Sequence, residues 1–179
     1  MMRKTLIIGV MGLLALLFGG CSAAPADART TLEQHAAAID EATHELFGVL
    51  AEAGFTDAGA RSVVETCRSE PAPGLSYEVR ITATGDDPAE QYARLSEGLT
   101  SSGWVQEKDS LGGDQPSGRF SRDGLTLDVK TGGFKIGDEV HGADELTLAL
   151  SRDDGCVDVA DGGAISEVRD LEKEILPPG

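Results

Sequence analysis

Apolar residues recur at steps of three and four through Leu32, Ala36, Ile39, Thr43, Leu46, Phe47 and Leu50. That spacing puts them on one face of a helix over residues 30–53, with Glu33, Asp40, Glu41 and Glu45 on its outer side. Thr30 and Glu33 have the spacing of a capping box at its start, and Gly54 is a natural stop. Asp87-Pro88-Ala89-Glu90 announces a second helix. Asp87 suits the cap, proline suits the first helical position, and Glu90 is placed to reach back to the cap. Tyr92, Leu95 and Leu99 form the buried stripe of this helix, and Gly103 ends it. Farther on, Ile165, Val168, Leu171 and Ile175 share a side at helical spacing before Pro177-Pro178. Residues 165–176 are therefore read as either a docked helix or a frayed tail.

The period changes to two between these segments. Tyr77, Val79, Ile81 and Ala83 alternate with Glu78, Arg80, Thr82 and Thr84. Leu125, Leu127 and Val129 alternate with Thr126, Asp128 and Lys130, and Leu146, Leu148 and Leu150 with Thr147, Ala149 and Ser151. Residues 62–68, 104–108 and 118–121 are weaker strands, and Arg122-Asp123-Gly124 is a hairpin turn signal. The chain reads α-β-β-α-β-β-β-β with an uncertain C-terminal helix. Strict alternation means that one sheet face is buried and the other wet, and two amphipathic helices are available for the buried face. The expected fold class is α+β: a two-layer sandwich of an antiparallel sheet with helices on one face.

The N-terminus breaks the amphipathic pattern. Arg3 and Lys4 precede residues 6–18, a run of 13 residues without a charged or polar side chain. As a helix it would span about 20 Å, against about 30 Å of bilayer hydrocarbon, which is the signature of a signal peptide and not of a permanent span. Gly19-Gly20-Cys21-Ser22 follows. This end resembles the lipobox of bacterial lipoproteins, with Phe18 standing where leucine is usual. The resemblance implies that residues 1–20 are a signal peptide and that Cys21 is lipidated. Residues 21–29 would be the lipidated cysteine and its tether, and residues 30–179 a single α+β domain. The alternative is ordinary cleavage near Ala23-Ala24 with a soluble product.

Loss of the leader removes Arg3, Lys4 and no acid, so the formal charge goes from −16 to −18. That balance argues against nucleic acid as a partner, since phosphate binding runs on clustered Lys and Arg. An acidic domain is also repelled by an anionic leaflet, so the lipid anchor alone would attach it to the membrane. With Cys21 lipidated, Cys67 and Cys156 are left. An even pair outside the cytoplasm is most simply a disulfide. Here it would staple the first strand to the segment after the last one. A redox or nucleophilic role has no Cys-x-x-Cys motif and no histidine nearby in sequence.

Candidate chemistry is sparse. There is no Gly-x-Ser-x-Gly elbow and no Gly-Lys-Ser/Thr phosphate loop. His35 and His44 are nine residues apart, about 900° round a helix and so on opposite sides. Each is expected to be a partly exposed helix residue, and His141 to lie in a glycine-rich connection. Asp153, Asp154, Asp158 and Asp161 are the densest acidic group. They miss the spacing of a twelve-residue calcium loop and read as a solvated surface. No metal, catalytic residue or cofactor is assigned. Trp104 reads as core packing under the second helix before it reads as a ligand-stacking ring. The wet side of the sheet remains, and Glu78, Arg80, Thr82, Asp128 and Lys130 are the candidate interaction face, with Thr126 and Thr147 beside them.

The Gly19-Gly20-Cys21-Ser22 end, Glu65-Thr66-Cys67, the helix into Leu99 and Gly103-Trp104, and the later Cys156 together resemble small actinobacterial cell-envelope lipoproteins of the LppA-like kind. The resemblance implies a lipid-anchored α+β domain on the extracytoplasmic face of the cell membrane and carries over no catalytic residue. The expected function is a non-enzymatic interaction module that binds another envelope protein. The alternative is a carrier or sensor of a small apolar ligand between helices and sheet, with the glycine-rich residues 131–142 as a lid.

Overall fold

The computed structural model describes residues 28–70, 73–110, 115–136, 139–159 and 165–177. The leader, Cys21, the tether up to residue 27 and Asp161 lie outside the described residues. Helix α1 is Ala28–Ala53, and it buries Leu32, Ala36, Ile39, Leu46, Phe47 and Leu50 as the periodicity requires. Its helical turns are already present at Ala28, so Thr30 sits inside the first turn and is not the cap. Strand β1 (Thr56–Arg68) starts six residues ahead of the expected 62–68 and pairs antiparallel with β2 (Gly74–Thr84) as far as Thr56 opposite Thr84.

Helix α2 (Pro88–Ser101) begins as its sequence specifies, with Asp87 accepting from the Glu90 N–H at 3.0 Å. The side chain that reaches back is Gln91, not Glu90: its Oε1 accepts from the Asp87 N–H at 3.3 Å. Its Nε2 donates to the Gly54 carbonyl at 2.5 Å, so one buried amide ties the start of α2 to the end of α1. Glu90 instead pairs with Arg94 one turn on.

The remaining strands are β3 (Val105–Ser110), β4 (Ser117–Arg122), β5 (Leu125–Thr131), β6 (Phe134–Ile136), β7 (Glu139–His141), β8 (Glu145–Arg152), β9 (Val157–Asp158) and β10 (Glu174–Ile175). Asp123 and Gly124 have φ of 52° and 75°, the left-handed pair that a two-residue turn between twisted strands demands. β6 and β7 form a separate small hairpin within the glycine-rich stretch. The sheet order is β10-β1-β2-β8-β5-β4-β3, antiparallel throughout, with β9 on β2. The insertion of β8 between β2 and β5 brings together strands that are far apart in sequence.

Both helices cover one face, as expected. Tyr77 of β2 donates its hydroxyl to Asp40 of α1 at 2.8 Å, and Tyr92 of α2 reaches Asp109 of β3 at 3.3 Å. Val79, Ile81, Phe120, Leu127, Leu148 and Leu150 point to the same side and are shielded from solvent. Under them lie Leu32, Ile39, Leu46, Leu95 and Leu99, so the core is the layer between helices and sheet.

Residues 165–177 are docked, but not as a helix. Two short 3-10 turns, Ile165–Glu167 and Arg169–Leu171, lead into β10, where Ile175 pairs with Ala60. Ser62 of β1 holds this segment: its N–H donates to the Lys173 carbonyl at 3.0 Å and its Oγ accepts from the Lys173 N–H at 2.8 Å. Val168 and Ile175 are buried. None of the described helices is long and apolar enough to cross a membrane.

Candidate functional site

Among the described residues no helix covers the side of the sheet away from α1 and α2, and strand register fixes which residues meet there. In one row Arg61, Arg80, Ala149, Asp128, Arg119 and Lys108 are successive cross-strand partners from β1 to β3. The next row runs Gly59, Thr82, Thr147, Lys130, Ser117 and Ser110. The structure therefore brings Arg80, Thr82, Asp128 and Lys130 together, with Glu78 one step along β2 on the same face. Small side chains, Ala149 and Thr147, separate the two halves of this patch. Lys108, Arg119 and Arg61 belong to it as well. They were not legible in the sequence because their strands were weakly marked and their placement depends on long-range register.

Charge on this face is locally organised. Arg80 is held between Glu78 at 2.9 Å and Glu65 at 2.5 Å, and the hydrogen bond to Glu78 is the main reason its pKa rises further. Arg119 makes a two-pronged bond to Asp128 at 2.7 and 2.8 Å, which raises its pKa in the same way. Lys130, Lys108 and Arg61 make no ion pair among the described residues. In a chain with 31 acidic and 15 basic side chains, cations without a carboxylate are the exception. Apart from Arg169, every other Arg or Lys with a described side chain has an acidic partner within 4.0 Å.

The surface between these residues is not flat. A cleft of about 730 Å³ lies over β3, β4 and β5, and is lined by Lys108, Arg119, Lys130, Ser110, Ser117 and Glu107 among others. A second cleft, of about 320 Å³, runs from Lys130 to Thr147 and Glu145. Lys130 is the cation shared by both.

Other sequence candidates fall elsewhere. Cys67 and Cys156 are bonded, with Cα atoms 5.8 Å apart, linking the end of β1 to the segment between β8 and β9. His44 is exposed on α1 beside Phe47. His35 is not partly exposed as expected but buried, and its Nδ1 has no hydrogen-bond partner. Burial pushes its pKa down, with Arg152 adding to the shift. Trp104 is buried at the start of β3, and the Arg122 guanidinium lies 4.7 Å from its ring centroid. The acidic group is dispersed: Asp153 accepts from Thr126, Asp154 pairs with Arg152, and Asp158 pairs with Arg68. Among the described residues no three His, Cys, Asp or Glu side chains are gathered so as to hold a metal ion.

The described residues form an antiparallel α+β sandwich with helices on one side of the sheet and none on the other. No family model, curated protein or solved structure matches the chain.

Proposed function

We propose that the chain is a non-enzymatic, lipid-anchored protein of the extracytoplasmic face of a bacterial cell membrane, of the LppA-like kind. Its open sheet face docks another envelope protein. The observation that carries this reading is that Lys108 and Lys130 toward one end of the sheet and Arg61 toward the other, none of them in an ion pair among the described residues, all stand on the face that no described helix covers. An exposed cation without an ion pair costs the fold little, so these side chains are free to meet the acidic groups of a partner on this face. The Cys67–Cys156 bridge supports an oxidising location.

The test is charge reversal at Arg80→Glu and Lys130→Glu in the full chain. Capture of an envelope partner from membranes should be lost while the thermal transition stays within a few degrees of the parent. Capture that survives both changes rejects the sheet face as the docking surface.

A further inference from the structure

We infer that β3 is a docking edge for a second copy of this chain, paired strand to strand about a two-fold axis between Glu107 and Lys108. β3 closes one end of the sheet and, among the described residues, pairs with β4 alone. All six of its residues are exposed, Val105 by 64%. A strand in that position offers its outward N–H and C=O groups to any extended chain that matches it. The other end of the sheet is closed differently. There the C-terminal segment lies along β1: β10 pairs with Ala60 and Arg61, the Ser62 N–H donates to the Lys173 carbonyl, and the Val64 N–H donates to Glu172 at 3.2 Å. β3 has no such cover among the described residues.

The side-chain order of β3 selects the occupant. Two residues directly opposite in an antiparallel pair project to the same side of the sheet. When a regular strand pairs with its own copy, this rule sets a residue opposite its own counterpart at the two-fold axis, and a charged centre meets its like. The bulge in β3 lifts that constraint. Gln106 pairs with Phe120 on the helix side, Lys108 pairs with Arg119 on the open side, and Glu107 is the extra residue between them. Glu107 borders the open-face cleft together with Lys108 and stands near enough to Arg119 to add to its raised pKa. Glu107 and Lys108 are therefore neighbours in sequence on one side of the sheet. An axis between them sets Glu107 opposite Lys108 of the second copy, twice over. The same register sets Gln106 opposite Asp109, both on the helix side, and Val105 opposite Ser110, both on the open side.

Opposite charges directly across a ladder attract, and like charges repel. Neither Glu107 nor Lys108 is in an ion pair among the described residues, whereas Arg119 in the same row is held by Asp128. Every pair of positions in this register matches in side, and the central one matches in charge. The bulge costs ladder hydrogen bonds where it sits, and an edge of six residues is only about 20 Å long. The contact is therefore small and the dimer reversible. A formal charge of −16 on each chain repels the copies at long range, and moderate salt screens that repulsion more than it screens charges in contact. Pairing at this edge leaves the open face of both copies uncovered, so it goes beyond the docking proposed for that face and does not rest on it.

The test is sedimentation velocity of the purified full chain at moderate salt, over concentrations rising to about 500 µM, the range that a small interface calls for. The parent should pass from monomer to dimer. Glu107→Lys brings two ammonium groups together at each central contact, and Lys108→Glu brings two carboxylates together. Each should weaken dimerisation by about tenfold. Mixing these two variants puts opposite charges back at both contacts and should give a mixed dimer as strong as the parent's. A chain carrying both changes should dimerise as well. Misfolded variants would do neither, so the mixture keeps the test valid if dimerisation is lost. A parent that stays monomeric overturns the inference and leaves the edge to a strand of some other protein. A dimer that persists in both single variants, or a mixture no tighter than its components, overturns it too. Arg80→Glu with Lys130→Glu, on the open face, should dimerise like the parent. A dimer lost there and kept in the β3 variants assigns self-association to the open face and overturns pairing at the edge.

Discussion

The hydroxyl of Tyr77 donates to one oxygen of Asp40 at 2.8 Å, while Lys173 reaches the other oxygen at 2.6 Å. A strand, a helix and the C-terminal segment thus meet at a single carboxylate. Tyr77→Phe keeps the ring in the core and removes only the donor. Asp40 retains Lys173, so the expected cost is about 1 to 2 kcal/mol, measured by urea denaturation. Asp40→Ala should cost more, because it leaves Tyr77 without its acceptor and Lys173 without its counter-charge.

Alkaline pH reports on the same layer. Burial raises the pKa of Tyr77, and burial together with Asp109 raises that of Tyr92 to about 12. Both phenols thus keep their protons in the folded state above pH 10, where the unfolded chain loses them. The stability they contribute is complete below about pH 10 and is lost as pH rises through their folded values. Thermal melts between pH 9 and 11 should show a falling midpoint. Tyr92→Phe should flatten that fall.

Much of this arrangement was legible in the sequence. The 3.6-residue stripe from Leu32 to Leu50 and the strict alternation in Tyr77–Ala83, Leu125–Val129 and Leu146–Leu150 each report directly on one buried face. Residues 165–176 misled because Ile165, Val168, Leu171 and Ile175 have a spacing that 3-10 turns followed by a strand satisfy as well as a helix does. What decides between them is Ser62, a partner about 110 residues away whose pairing local pattern does not encode. β3 was weakly marked because all six of its residues are exposed at a sheet edge. The open face was half legible for the same reason. Alternation assigns Arg80 and Lys130 to it, but only the strand order β2-β8-β5-β4-β3 sets Arg119 and Lys108 beside them.

The disulfide closes a separation of 89 residues, and both cysteines are exposed, so reductant reaches the bridge in the folded protein. Replacing both with serine should cost about 2 to 5 kcal/mol, with loss of loop-closure entropy as the main model for the cost. Gly74 makes the bridge's position testable. A Cβ there would stand 2.7 Å from the Cys156 sulfur and 3.1 Å from that of Cys67. Gly74→Ala should destabilise the oxidised protein by about 1 to 3 kcal/mol through this crowding. In the Cys67→Ala, Cys156→Ala background the same change should cost distinctly less, and a double-mutant cycle by chemical denaturation measures the difference.

His35 should make the fold sensitive to mild acid. It is buried on α1 against the turn after β8, where Arg152 opposes its charge while Asp154 and the nearby Gly155 backbone favour it. Burial is the largest influence, and the net shift is downward from 6.5. The folded state therefore binds fewer protons than the unfolded state once pH falls below about 6.5, and stability declines from there down through the folded pKa. The steepest slope that one such group can give is about 1.4 kcal/mol per pH unit. His35→Leu removes both the titration and the unpaired Nδ1, so the variant should lose less stability than the parent between pH 7 and pH 5. Equal losses in the two proteins over that interval would assign the acid sensitivity to the carboxylates instead.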